Sequence, residues 1–270
     1  MAQHPLTLMA VHAHPDDEAS TTGGILAKYA GEGIRTVLVT CTNGELGDTP
    51  SAKPGDDAHD MADVVAMRRR ELEDSCRVLG ISHLETLGYH DSGMMGWPAN
   101  DAPGSFWSMP VAEAATPLVE LMRHYQPDVV VTYDDFGFYG HPDHIQAHRI
   151  TLSALDTTGL PAKVYFPTIR RSSLAEFRDR VSQAGVELPD IDASSFGSPD
   201  EAISATIDCR EQAQSKRDAL AAHVSQAENI FFLRFPMSDF TEMFGTEEFV
   251  RLRPETADAI PETDLFAGLR

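Results

Sequence analysis

Positive charge is scarce in this chain. Lys and Arg number 21 against 42 Asp and Glu among 270 residues, a formal net charge of −21. Such a surface repels nucleic-acid phosphates and anionic membrane faces, so neither is expected as a partner. Cysteine is scarce too. Cys41, Cys76 and Cys209 are odd in number and show no C-x-x-C spacing, which leaves no disulfide framework and no case for a thiol nucleophile. No apolar run is long enough to span a bilayer. The opening MAQHPLTLMAVHAHPDDE has no basic leader, and its apolar run enters a charged motif. A first strand is expected there rather than a signal peptide, and the cytoplasm as the location. No G-x-G-x-x-G follows that strand. HPDDE stands in its place, and its acids would repel a pyrophosphate, which argues against a dinucleotide enzyme.

Apolar residues, by contrast, make up 42% of the chain, enough for a sizeable core. Leu6–Ala13 is a short apolar run, and GGILAKYAGEG behind it has helical spacing ending in glycine. Thr36–Thr42 reads as a β-branched strand, followed by a polar loop from about 43 to 60. Met61–Leu79 is helical and stops at Gly80. HLETLGY is a short strand, and about 91–110 is a loop rich in Gly, Pro and Trp. Val111–Tyr125 reads as a helix, Asp128–Tyr133 as a buried strand, Asp143–Leu155 as a helix and Val164–Thr168 as a strand. This alternation predicts the α/β class: a mostly parallel sheet with helices on both faces. Beyond it the pattern loosens. Helices are expected over Arg171–Ala184 and Arg210–Val224, and strands at ISATID and FVRLRP, as a smaller C-terminal lobe. With no repeat and no low-complexity linker, residues 1–270 read as a single domain, its core over about 6–168 and its lobe over about 169–270.

Ligands of such sheets sit beyond the carboxyl ends of the strands. Two clusters fall there. His14-Pro15-Asp16-Asp17-Glu18 follows the first strand; Gly140-His141-Pro142-Asp143-His144 follows Asp128–Tyr133, with His148 one turn on. Crowded carboxylates are costly without positive charge nearby, and a divalent cation supplies it. A catalytic zinc takes three protein ligands and leaves a position for water. His14, Asp17 and His144 offer two imidazoles and one carboxylate, a set that suits Zn²⁺ and that Fe²⁺ also accepts. Asp16, left unbound beside the metal, is then the natural general base for water. His141, if charged, would stabilise the oxyanion from the other side, with Asp143 orienting it and holding its proton. His144 and His148 share a zincin-like spacing, but the glutamate of H-E-x-x-H is missing. A metal-binding protein without catalysis would require neither Asp16 nor His141.

HAHPDDE near the start and YGHPDH midway resemble the LmbE-like (PIG-L) metal-dependent deacetylases, and the likeness returns at SKRDALAAHVSQ, around 216–226. The resemblance implies a Rossmann-like fold and removal of an N-acetyl group from a glucosamine-containing small molecule. It implies metal ligands at His14, Asp17 and His144, the base at Asp16 and the oxyanion histidine at His141. Within the family, the chain is similar to the actinobacterial mycothiol group, which deacetylates N-acetylglucosaminyl-inositol or cleaves mycothiol conjugates. That likeness implies a substrate-directed arginine at Arg68, a sugar-binding segment at Asp91 and Ser92, and an active-site tyrosine at Tyr139. Arg68 also stands in the run Arg68–Arg70, which suits a solvated helix face, and Tyr139 would serve equally as a packing aromatic. The lysine that conjugate amidases carry shortly after HPDDE is missing from Ala19–Gly24, which favours deacetylase over amidase. A secondary-metabolite pseudo-aglycone stays open as substrate, because 96–110 and 185–205 resemble neither enzyme. Trp97, Phe106 and Trp107 are candidates to stack on a sugar or to cap a hydrophobic loop. A homo-oligomer is compatible with all of this.

Overall fold

A computed structural model describes residues 5–160, 163–183, 185, 197–227, 230–254 and 261–270. Five strands lie parallel in the order β3 (His83–Tyr89), β2 (Arg35–Thr42), β1 (Thr7–His12), β4 (Val129–Val131) and β5 (Lys163–Thr168). The C-terminal part then adds to the same sheet. β7 (Thr246–Pro254) runs antiparallel to β5, and β6 (Ala205–Asp208) antiparallel to β7. The expected C-terminal lobe thus extends the sheet instead of standing apart from it. FVRLRP and ISATID take their places as β7 and β6.

The central strands are apolar without alternation because both faces are covered. On β1, Leu8 and Ala10 pack into one core with Leu38, Val129 and Val131, while Met9 and Val11 pack into the other with Val37, Val39 and Val130. The first core is roofed by α1 (Asp17–Gly31), α2 (Met61–Leu79) and α8 (Ala213–Ala222), the second by α4 (Thr116–Tyr125) and α6 (Pro142–Thr158). The expected helix over Val111–Tyr125 is broken into α3 (Val111–Ala114) and α4, with Pro117 in the first turn of α4. Proline lacks the N–H that an unbroken helix would need there. A short kinked turn, α5 (Gly137–Gly140), precedes α6. In the C-terminal part, α7 (Leu174–Gln183) and α9 (Met237–Phe244) complete the helices; the expected end of α7 at Ala184 lies outside the described residues. No helix among the described residues is long and apolar enough to cross a membrane.

The element that positions the site is the junction of β1 and β4. They are hydrogen-bonded neighbours, with Leu8 opposite Val129 and Ala10 opposite Val131, so their carboxyl ends deliver chain to the same place. His14 and Asp143, 129 residues apart in sequence, meet there.

Candidate active site

Past β1 the chain turns sharply. Asp16 is the N-cap of α1 and sits at φ 110°, a left-handed conformation rare outside glycine. Such a conformation costs on the order of 1–3 kcal/mol and persists only where its surroundings impose it. The turn brings Asp17 back onto its own strand end: its Oδ2 accepts from the His14 backbone N–H at 2.8 Å and from the Tyr133 hydroxyl at 2.7 Å. Past β4, Pro142 opens α6, where its missing N–H is harmless. His141 caps that helix, its Nδ1 accepting from the Asp143 N–H at 3.2 Å.

Three buried side chains converge on one point. His14 Nδ1 lies 3.3 Å from Asp17 Oδ2, and His144 Nε2 lies 3.5 Å from Asp17 Oδ1. The tautomers follow from the other ring nitrogens. His14 Nε2–H donates to Asp143 Oδ2 at 3.2 Å, which leaves Nδ1 as the atom that faces Asp17, and His144 Nδ1–H donates to the Gly137 carbonyl at 3.2 Å, so that ring turns a lone pair toward Asp17. His144 Nε2 is buried with no hydrogen-bond partner. Burial holds its pKa down at about 4, which keeps that lone pair free of a proton. Two imidazole nitrogens and a carboxylate facing one another, with the His144 nitrogen orphaned, make a donor set that a divalent cation fits once it displaces the His14 proton. Burial works to lower the pKa of His14, but the Asp143 and Asp17 carboxylates outweigh it and raise it well above 6.5: this pocket demands positive charge. His14, His141 and His144 are close enough for one ion to touch all three, and a second buried group joins His14 and His141 to Asp91 and Asp143.

Asp16 points into the cleft beside this set. Burial raises its carboxyl to about 6, against the pull of Arg68, whose Nη2 donates to Asp16 Oδ2 at 3.0 Å. Arg68 is buried, not on a solvated face. Its guanidinium also donates to the carbonyls of Gly44 and Pro15, and side chains at Gly44 or Gly47 would collide with it.

Three expectations change. Asp143 meets His141 only through its main-chain N–H: its carboxylate accepts from His14 and from the Ser92 N–H at 2.9 Å, and it orients His14 instead. Nor is His141 an imidazolium. Burial and the neighbouring His14 and His144 push its pKa to about 3, and Nδ1 already accepts a hydrogen bond, so it offers a neutral Nε2–H. Ser92 is fully buried and faces no cleft; its Oγ accepts from the Trp107 N–H, and its N–H anchors Asp143. His148 is equally occupied, its Nδ1–H donating to the Tyr133 carbonyl at 2.8 Å, so the zincin-like pairing with His144 does not form.

The cleft has a volume of about 390 Å³, in the range of small-molecule sites. His14, Asp16, Asp17 and His141 form its floor. Arg68, Asp91, Asp48 and Gln226 line it with polar groups, and Leu46, Met94, Trp97 and Tyr139 with apolar ones. Of the aromatic candidates, Trp97 alone lines it. Phe106 is buried and stacked on Tyr89, and Trp107 lies under Arg149. Sequence reasoning missed Tyr133, whose ring stacks on His144 at 4.1 Å, although its place at the end of the strand beside β1 was a signal. It also gave no role to Glu18, His223 and Gln226, although Glu18 stands in the HPDDE cluster and the other two in the SKRDALAAHVSQ segment.

The profile of the family described as PIG-L, GlcNAc-PI de-N-acetylase, matches residues 9–155. A 1D-myo-inositol 2-acetamido-2-deoxy-α-D-glucopyranoside deacetylase of Acidothermus cellulolyticus is 42% identical, covering 97% of this chain and 95% of that protein. A deacetylase of the same name from Geodermatophilus obscurus is 40% identical, covering 97% of each. Among solved structures, the N,N'-diacetylchitobiose deacetylase of Pyrococcus horikoshii shares the fold, with a TM-score of 0.58 and 21% identity over 96% of this chain and 88% of that one. The profile match spans more than half of the chain and the relatives align along nearly all of it, so the chain belongs to the PIG-L family.

Proposed function

We propose that this protein is a zinc-dependent N-deacetylase that hydrolyses 1D-myo-inositol 2-acetamido-2-deoxy-α-D-glucopyranoside to acetate and the free amine. The observation that carries the reading is the orphaned His144 Nε2 facing Asp17 and His14, with an unliganded carboxylate, Asp16, in the same cleft. The relatives' names supply the substrate.

His14, Asp17 and His144 would hold the cation, which when bound polarises the acetyl carbonyl and eases loss of a proton from water. Asp16, with a carboxyl poised near neutrality, accepts the proton of the attacking water and delivers it to the departing amine. His141 donates its Nε2–H to the oxygen that gains charge as the carbonyl becomes tetrahedral. Tyr139, which lines the cleft with its ring 6.0 Å from that of His141, donates to the same oxygen. Asp91, Asp48 and Gln226 accept and donate hydrogen bonds to hydroxyls, and Trp97 offers a ring face.

The test is acetate release from this glycoside and from free N-acetylglucosamine, using protein as purified, after chelation, and after zinc or iron(II) is restored. Activity that disappears on chelation and returns with metal supports the reading, and the better metal and sugar refine it. A protein that holds one equivalent of metal yet releases no acetate from either sugar refutes the substrate; one that binds no metal refutes the mechanism.

A further inference from the structure

Asp16 is held in its unusual backbone conformation by a side chain that never reaches the cleft. The Asp16 N–H donates to Glu18 Oε2 at 2.9 Å. Glu18 Oε1 accepts from the Ser75 hydroxyl on α2 and from His223 Nε2–H at 2.7 Å, just after α8. Glu18, Ser75 and His223 are all fully buried, and none lines the cleft. An acid that only complemented the first turn of α1 would need no such partners, because Asp17 already stands in that turn. The arrangement is continuous with the cleft on its far side. Ser225 donates from both its N–H and its hydroxyl to Glu71, and Gln226 beside it lines the cleft. His223 and Gln226 lie beyond the residues that the family profile matches.

We propose that Glu18, fixed by Ser75 and His223, is the positioning residue for the general base: it sets the Asp16 main chain so that the carboxylate meets Arg68 and the reacting water. The inference rests on Asp16 being the base. Arg68 holds the Asp16 side chain, Glu18 holds its backbone, and the C-terminal segment around His223 secures Glu18. That segment is therefore part of the catalytic support.

A double-mutant cycle tests this on the full-length, metal-loaded protein. Glu18→Gln is expected to lower kcat about 10- to 100-fold, since small misplacements of a reacting group have effects of that size. KM should stay within about twofold and metal content should be unchanged, because neither the ligands nor the cleft wall is touched. In an Asp16→Ala background, Glu18→Gln should lower the residual rate by no more than about twofold, because it acts only through Asp16. Ser75→Ala and His223→Asn provide the same comparison with milder changes should Glu18→Gln fold poorly, and Ser75→Thr, which keeps the hydroxyl, should restore most of the rate lost in Ser75→Ala. An inactive Asp16→Ala combined with full kcat in Glu18→Gln, or with an additive loss in the double variant, overturns the positioning role alone. An Asp16→Ala variant with wild-type kcat overturns the base assignment and this inference with it.

Discussion

His144 and Asp16 belong to the same proposed site, yet they should fail differently when removed. His144 presents a lone pair that no protein group uses. Truncating it to alanine should release the metal, and activity should fall with metal content. Asp16 is held by Arg68 and Glu18 and lies outside the donor set. Asp16→Ala should keep its metal while kcat drops by roughly 10²- to 10⁴-fold, the usual worth of a general base. Metal analysis on both variants decides it: an Asp16→Ala protein as metal-poor as His144→Ala would make Asp16 a ligand. The roles of Asp143 and Ser92 show the limit of reading residues singly. Both stand in the expected motifs, but Asp143 serves His14 and Ser92 serves Asp143. Motif spacing indicates which residues gather; which of two histidines a buried carboxylate will orient depends on rotamers and loop paths.

At the scale of elements, α1 is fastened to the far end of the chain through the main chain at Gly24 and Ile25. The N–H groups of Gly24 and Ile25 donate to Glu247 of β7, which also pairs with Lys216 of α8 at 2.7 Å. A Cβ on Gly24 would lie 2.7 Å from both the Cys209 Cβ and Glu247 Oε1. Alanine in a helix interior normally gains about 1 kcal/mol over glycine. Here overpacking should outweigh that, at roughly 1–3 kcal/mol, and displace Glu247. Gly24→Ala is expected to lower Tm by several degrees, and a higher Tm would mean that α1 and β7 have slack between them. The sequence carried the parallel sheet well, because β1, β2, β4 and β5 are short apolar runs, β-branched in β2 and β4, separated by helical spacing. The helix over 61–79 was equally clear, bounded by the Asp60 cap and Gly80. What it could not carry was the partnership of β6 and β7 with β5, since antiparallel pairing across distant segments leaves no local signal. The two HPD clusters were legible for the opposite reason: each is compact in sequence, and the topology rule for strand ends brings them together. For Gln226 and His223 only the segment was legible, through its likeness to the family; their individual roles were not, because these come from what the end of α8 packs against.

Across the whole molecule, buried ionic contacts tie the last third of the chain to the first. His223 and Glu18 form one such contact, with both side chains fully enclosed. Burial works to lower the pKa of His223, and the Glu18 carboxylate outweighs it, leaving the value above 6.5. A group whose pKa is raised on folding contributes stability that is complete below its unfolded value and fades as pH climbs through the folded one. Stability should therefore decline from about pH 6.5 upward, and His223→Gln should flatten that slope in denaturant titrations between about pH 6 and 9. Equal slopes in the two proteins would show that the His223 pKa does not change on folding. The adjacency of β1 and β4 has a consequence for how the protein comes into being. An emerging polypeptide that has exposed only its first hundred residues owns His14 and Asp17 but not His144, so it has two of the three donors and no defined cavity. If His14, Asp17 and His144 hold the metal, its capture must wait until translation has passed α6, and a positioned base, if Glu18 needs His223, must wait until the chain is almost complete. On that assignment the metal meets a chain with more than half of its length made, and a product stalled before α6 has no means of withdrawing metal from the cell's supply through this site.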